Sequence, residues 1–238
     1  MPQGESITNG AKPPSLGRLL RELADVPATI AARLLPVRRL PATGQGQPVL
    51  VLPGFLANDD ATSLLRRSID AAGLQSFGWE MGFNVKVGAD MIERLNARLE
   101  AVSAAAGGAR VTLVGWSLGG LYARQLANEH PDKVRMVVSL GSPFSGDLRA
   151  NNAWRLIEAT NGHAVDNLPM PIGFREKPPV HTIAVWSPND GIVAPETSCG
   201  DPDQSDERIE LACTHMGFCV SASGVRGVVQ LLLDRLAN

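Results

Sequence analysis

The stretch that decides the fold is Arg110-Val111-Thr112-Leu113-Val114-Gly115-Trp116-Ser117-Leu118-Gly119-Gly120. Its apolar, β-branched first half predicts a buried strand, and the residues from Leu118 to Asn128 predict a helix. The pattern Gly-x-Ser-x-Gly lies between the two, where the serine occupies a tight turn with its hydroxyl pushed outwards. A side chain at either glycine would collide across that turn. The stretch predicts that Ser117 is a nucleophile; a small polar residue in a glycine-rich turn is the alternative.

Strands alternate with helices along the rest of the chain, which predicts a parallel sheet with right-handed crossovers. The predicted strands are 48–53, 76–81, 111–114, 134–140, 180–186 and 208–211. In such sheets functional groups gather at the carboxyl ends of the strands. Gly54, Ser117, Asp190 and His215 each follow a predicted strand, so we expect them to meet at one edge of the sheet.

A serine hydroxyl needs a neighbouring base, and a histidine held by a carboxylate suits this task. His215 is the expected base because it follows the last strand. The other histidines lie at the end of the serine helix, in an insert and at the start of a strand: His130, His163 and His181. Asp190 is the expected acid, although Asn-Asp-Gly is also a common turn. Asp201 and Asp203, in a polar loop, are the alternatives.

Composition bounds the class of protein. The chain has 238 residues, 44% hydrophobic and 19% charged, with a formal net charge of −2, which fits one α/β domain over residues 15–238. Charge this close to zero gives no reason to expect nucleic-acid binding. Residues 1–14 are polar and lack the apolar core of a signal peptide, so we expect a disordered tail. With no apolar run of 18 residues, a cytoplasmic or peripherally membrane-associated protein is favoured.

The segment 15–40 has four leucines on one helical face, namely Leu16, Leu19, Leu20 and Leu23. Such a stripe commonly packs on its own domain. The alternative is a basic amphipathic segment that touches a lipid surface.

The three cysteines are odd in number and lack metal-ligand spacing, so no metal site is predicted. Cys199 and Cys213 flank the acidic loop between Asp190 and His215. We expect them to form a disulfide that leaves Cys219 unpaired. Free thiols are the alternative if the protein is cytosolic.

Five short motifs give a resemblance to a known superfamily. They are Val51-Leu52-Pro53-Gly54-Phe55, Gly115-Trp116-Ser117-Leu118-Gly119-Gly120, Leu140-Gly141-Ser142-Pro143, Ser187-Pro188-Asn189-Asp190-Gly191-Ile192-Val193 and Thr214-His215-Met216-Gly217. With the chain order nucleophile, acid, histidine, they resemble the α/β-hydrolase superfamily, and most of all small bacterial lipases and esterases related to triacylglycerol lipases. The chain departs from that pattern in lacking a His-Gly pair before Gly54 and in having six predicted strands instead of eight.

The resemblance implies an α/β-hydrolase fold with a mostly parallel sheet of about six strands, helices on both faces and a minimal cap. It implies a serine carboxylic-ester hydrolase that forms an acyl-enzyme on a small-molecule ester or acylglycerol and needs no cofactor. An acyltransferase or thioesterase would use the same three residues. A non-catalytic binding protein would share the fold, since fold does not prove function.

The resemblance and the strand-end geometry both assign the oxyanion hole to the backbone N–H groups of Phe55 and Leu118. Gly54 would let its loop turn close to the serine; a plain Pro-Gly turn is the alternative. The residues expected to contact substrate are Gly54, Trp116, Trp154, Leu168, Met170 and Met216.

An insert at 145–178 is the expected cap. It contains one predicted helix, 150–160, and a proline-rich loop, too few residues for an independently folded lid. Its apolar residues 168–172 would form the rim of an open site for short- to medium-chain esters with little interfacial activation. The alternative is that they pack on the core around a small polar pocket.

Overall fold

The computed structural model describes residues 8, 10–37, 40–167 and 172–237. The strands in these residues are β1 Pro48–Leu52, β2 Gln75–Phe77, β3 Val111–Trp116, β4 Val134–Leu140, β5 His181–Trp186 and β6 Glu207–Glu210. They form one sheet in the order β2-β1-β3-β4-β5-β6, and each neighbouring pair is parallel. The predicted six-stranded parallel sheet is confirmed.

Strand β2 is shorter than the predicted 76–81. The Asp59 carboxylate accepts the N–H groups of Trp79 and Glu80 at 2.9 Å each. Because these amides bond to a side chain instead of a neighbouring strand, the ladder ends at Phe77.

Helices cover both faces of the sheet, as predicted. They are α1 Leu16–Glu22, α2 Val26–Ile30, α3 Ser63–Ala71, α4 Ala89–Ala105, α5 Leu118–Glu129, α6 Trp154–Asn161, α7 Pro195–Cys199, α8 Gly217–Val220 and α9 Ala222–Leu236. Along β1, Val49 and Val51 pack into a core layer with α3 and α9, whereas Leu50 and Leu52 pack with α4 and α5. Alternate side chains of a strand point to opposite faces, so β1 is fully buried between two apolar layers.

Three of the four leucines in the predicted stripe, two on α1 and one just after it, face solvent, and Leu19 is half-buried. Leu16, Leu20 and Leu23 are 69%, 55% and 60% exposed, whereas Glu22 is 1% exposed. Further along, Ile30 and Leu34 are also exposed. The expectation that the leucine stripe packs on the domain is therefore wrong, because α1 packs through a carboxylate.

The insert at 145–178 contains α6 and two short 3₁₀ turns, Val165–Asn167 and Ile172–Arg175. Helix α6 begins at Trp154, four residues after the predicted start, because Asn151 forms an isolated antiparallel bridge with Val193.

The described part of the predicted disordered tail contacts this insert. Thr8 is buried and lies against Gly146, and the Pro14 carbonyl accepts a hydrogen bond from Asn152 at 3.1 Å. Residues 1–7 and 9 of that prediction lie outside the described residues. Among the residues that are described, no helix is long and apolar enough to cross a membrane.

Candidate active site

Ser117 lies in a strained turn between β3 and α5. Its φ and ψ are 56° and −121°, a left-handed conformation that costs a non-glycine residue ~1–3 kcal/mol. A Cβ at Gly115 would collide with the backbone of Gly119 and Gly120, and one at Gly119 with Leu52. The glycines therefore allow the turn to pack tightly, and the strain is held at a single polar residue at the carboxyl edge of the sheet.

Asp190 and His215 are in direct contact at the same edge. The Nδ1 atom of His215 lies 2.7 Å from Oδ2 of Asp190. The other carboxylate oxygen accepts the N–H groups of Ile192 and Val193 at 2.8 Å each. Both acid and histidine are buried. With its carboxylate fixed by two backbone donors, Asp190 orients the imidazole and assigns its Nδ1 proton.

Burial alone would lower the pKa of His215. The negative charge of Asp190, its hydrogen bond to the ring and the charge of Glu22 act in the opposite direction, and the pKa of His215 is raised above its ordinary value. The imidazolium that would form on proton transfer is therefore stabilised.

Trp116 and Gly141 connect the serine turn to this pair. The Trp116 indole N–H donates to the His215 carbonyl at 3.0 Å, and the two rings lie 5.6 Å apart. Gly141 follows β4 with φ 55°; a Cβ there would lie 2.9 Å from Asp190 Oδ2 and 3.0 Å from His215 Nδ1. Asp190 and His215 thus pack against the backbone of Gly141, which follows β4, the strand next to the one that ends before Ser117.

The loop after β1 passes close to Ser117. A Cβ on Gly54 would lie 3.1 Å from the Cβ of Ser117. The loop is braced by buried Asn84, whose side-chain amide donates to the Pro53 carbonyl at 2.9 Å and whose backbone carbonyl accepts from Leu56 at 2.8 Å. This bracing holds the turn that contains Gly54 and Phe55 next to the serine.

An apolar cleft with a volume of about 140 Å³ adjoins Ser117. Most of its wall is hydrocarbon, from the loop after β1, from α5, from the insert and from the segment after Asp190. These apolar wall residues are Phe55, Leu118, Leu121, Pro143, Leu148, Ala153, Ile157, Val165, Phe174, Ile192 and Val193. Asn151, Asp166 and Arg175 supply polar groups.

Comparison with known proteins identifies the architecture. A family model described as alpha/beta hydrolase fold matches residues 74–168. Similar solved structures include 2-hydroxy-6-oxo-6-phenylhexa-2,4-dienoate hydrolase from Rhodococcus sp. strain RHA1, at 12% identity and a TM-score of 0.60 over 82% of this chain and 92% of that one. The chain has the α/β-hydrolase fold.

Two further α/β-hydrolase structures are lipolytic enzymes. One comes from work on two metagenome-derived lipolytic enzymes, at 15% identity and a TM-score of 0.57, covering 81% of this chain and 94% of that one. The other is the monoacylglycerol lipase of Paleococcus ferrophilus, at 15% identity and a TM-score of 0.55, covering 85% of this chain and 99% of that one. The search of curated proteins found no match. At these identities the likeness establishes the fold, and the chemistry has to be argued from the site.

The α/β-hydrolase fold places the predicted substrate-contacting residues differently from expectation. Trp116 supports His215, and Met216 packs against the core beside α8. Trp154 is half-buried at the start of α6, where the guanidinium groups of Arg149 and Arg155 lie 5.5 and 4.3 Å from the centre of its ring. Gly54 approaches Ser117 itself. Leu168 and Met170 lie outside the described residues.

Several residues of this candidate site were missed at the sequence level. Ile192 and Val193 line the cleft directly after Asp190, and their position beside a strand-end acid could have identified them. Asn84 and Glu22 carry no local signal, because their partners lie in distant loops.

The three cysteines are free, so the expected Cys199–Cys213 disulfide is wrong. Cys199 ends α7 beside Arg208, whereas Cys213 is buried in the core layer that also contains Cys219. Burial raises the pKa of Cys213 to about 12, which keeps this thiol protonated and unreactive.

Proposed function

We propose that this protein is a serine carboxylic-ester hydrolase in which Ser117, His215 and Asp190 form the catalytic triad. The observation that carries the proposal is the buried His215–Asp190 pair, placed at the same sheet edge as a strained Ser117 that opens into an apolar cleft. The fold is that of a hydrolytic family with lipolytic members, which supports a small-molecule ester as substrate.

In the proposed reaction, Nε2 of His215 takes the proton of the Ser117 hydroxyl, since Nδ1 is bonded to Asp190. The serine oxygen attacks the ester carbonyl, and the oxyanion accepts hydrogen bonds from the backbone amides of Phe55 and Leu118. His215 then returns the proton to the departing alcohol and leaves an acyl-serine. Water, deprotonated by the same imidazole, hydrolyses the acyl-enzyme.

The cleft supports an acyl chain as the recognised group. Each methylene buried against its hydrocarbon wall contributes ~0.8 kcal/mol. In the described residues, the apolar part of this wall that comes from the insert is Leu148, Ala153, Ile157, Val165 and Phe174. We therefore expect short- to medium-chain esters to be hydrolysed with ordinary saturation kinetics and little interfacial activation.

A chain-length series of p-nitrophenyl esters tests the proposal. The wild type should hydrolyse C4 to C10 esters and be labelled by a fluorophosphonate, and Ser117→Ala should lose both properties. Ser223→Ala, at an exposed serine of α9, is the matched control and should behave as wild type. Faster turnover of acyl thioesters than of matched oxyesters would favour a thioesterase. Transfer of the acyl group to an added alcohol in preference to water would favour an acyltransferase.

We also propose that residues 15–40 bind an anionic lipid surface, which would bring the enzyme to its substrate. This segment holds five of the 22 basic and two of the 24 acidic residues, so its formal charge is +3 against −5 for the remainder. The exposed leucines of α1 lie among these charges. Basic residues near an anionic bilayer contribute ~1 kcal/mol each to the binding free energy. Exposed leucines insert into the membrane interface and strengthen the binding.

Vesicle sedimentation tests this surface. The wild type should sediment with phosphatidylglycerol-containing vesicles at low salt, and Leu16→Ser/Leu20→Ser/Leu23→Ser should not. Phe83→Ser, at an equally exposed apolar residue outside the segment, should bind as wild type. Equal binding by the triple variant, or concentration-dependent dimers without vesicle binding, would contradict the proposal.

A further inference from the structure

A buried carboxylate from the first helix contacts both turns that hold the acid and the histidine. The Oε1 atom of Glu22 accepts the N–H group of Gly191 at 2.8 Å and that of His215 at 2.7 Å. Its Oε2 atom accepts the N–H group of Met216 at 3.1 Å. One side chain therefore satisfies three backbone donors in two segments that follow different strands, β5 and β6.

We infer that Glu22 is a positioning residue that fixes His215 relative to Asp190, and this inference rests on the proposed ester hydrolysis. Gly191 immediately follows the acid, and the His215 amide belongs to the base itself. Hydrogen bonds from N–H groups to an ionised carboxylate are about twice as strong as neutral ones. Glu22 thus restrains the spacing of the two turns.

The approach of α1 to these turns is close. A Cβ at Gly191 would lie 2.8 Å from Cγ of Glu22 and would collide with the Arg18 carbonyl. Asp25, just beyond α1, accepts a hydrogen bond from the Thr214 hydroxyl. Because Leu16 and Leu20 face solvent and Glu22 is the buried residue of α1, these polar contacts attach the helix to the site.

A second link between the two segments lies deeper. The Ser187 hydroxyl contacts both backbone groups of Cys213, its N–H group at 3.3 Å. That link stops two residues before the histidine. Glu22 supplies the connection at His215 and Met216, where the imidazole is oriented.

Glu22 also acts on the histidine through its charge. The groups that face His215 are Asp190 on its Nδ1 side, Glu22 at its backbone, the Trp116 ring, and Asp25 through Thr214. The negative charge of Glu22 adds to that of Asp190 in raising the pKa of His215. Removing this charge should lower the pKa of the base, and with it the pH at which activity is lost on acidification.

The test compares Glu22→Gln and Glu22→Ala in the full chain with Glu93→Gln, the same chemical change at an exposed residue of α4. Glu22→Gln keeps an acceptor for two of the three N–H groups but not the charge. We expect kcat to fall ~10-fold for Glu22→Gln and ~100-fold for Glu22→Ala. Misplacing a catalytic group by about 1 Å lowers the rate by ~100-fold, and Glu22→Gln should displace His215 less. KM should stay within about twofold, since Glu22 does not line the described cleft.

The pH readout separates positioning from a structural role. The acid limb of kcat/KM in Glu22→Gln should move to lower pH than in the wild type and in Glu93→Gln. NMR titration of the His215 ring, assigned with His215→Ala, should show the same direction and does not depend on esterase activity. An unchanged kcat and His215 titration in folded Glu22→Gln would overturn the inference. A wild type without esterase activity would instead overturn the proposed function, while the NMR titration still tests the contact.

Discussion

Arg124 offers the sharpest test of how the cleft is held together. This residue of α5 is fully buried. Its guanidinium donates to the carbonyls of Phe174 at 2.6 Å, Glu176 at 3.0 Å and Gln204 at 2.8 Å. It also lies 4.0 Å from the centre of the Phe144 ring. One side chain thus ties the serine helix to the insert and to the loop before β6.

We expect Arg124→Met to destabilise the fold by about 3 kcal/mol. Hydrogen bonds to a charged group contribute ~1.5–3 kcal/mol each, and three carbonyls lose their donor. The gain from no longer burying a cation offsets several kcal/mol of this sum. Burial lowers the pKa of Arg124 to about 9, so the cation and its desolvation cost are both present at neutral pH.

Urea unfolding measures the effect. With an m-value of ~3 kcal/mol per M for a chain of this size, the midpoint should fall by ~1 M. Arg94→Met, at an exposed position of α4, is the control and should change stability by less than ~0.5 kcal/mol. The variant should also raise KM, since Phe174 lines the cleft. A midpoint shift below ~0.3 M would show that the three carbonyls find other donors and would refute this reasoning.

Further outcomes follow for the proposed triad. Ser117→Ala and His215→Ala should each lower turnover by ~10⁴-fold or more, and the double variant hardly further, because the two act as a unit; multiplicative losses would contradict this. Asp190→Asn should lose most of its activity in the same ester assay, whereas Asp203→Asn should lose little. The opposite pattern would assign the acid of the triad to Asp203. Gly141→Ala should reduce kcat by ~100-fold with little change in KM, since its Cβ would lie 3.0 Å from the His215 Nδ1 atom. The rate should fall as pH drops below a His215 pKa that is raised above its ordinary value, because the base must be neutral; an acid limb below pH 6 would contradict this.

The elements that the sequence predicts best are those defined by local pattern. The strand before Ser117, the glycines of its turn and the helix after it are specified within about 20 residues, and the structure has them. Asp190 and His215 could be selected because a parallel sheet brings strand ends together. Their mutual contact follows from neighbouring strands β5 and β6.

What local pattern does not specify is the partner of each face. The period of α1 correctly identifies a leucine stripe, but only the tertiary structure shows that its one buried residue is a glutamate. Trp154 illustrates the same limit, because two arginine side chains lie against its ring and Ile157, one turn later, enters the cleft. The disulfide prediction used spacing along the chain, whereas α7 carries Cys199 away from the core layer that contains Cys213.

The contact between Glu22 and His215 spans 193 residues of chain. At ~5–20 residues per second, the ribosome needs about 10–40 s to synthesise the part that separates them. The turn at Ser117 can form well before Asp190 and His215 have left the exit tunnel. During that interval the Glu22 carboxylate lacks the N–H donors that it binds in the folded protein. The proposed catalytic site would then be completed only after β6 and His215 have been synthesised, so a nascent chain is not expected to hydrolyse esters before that point.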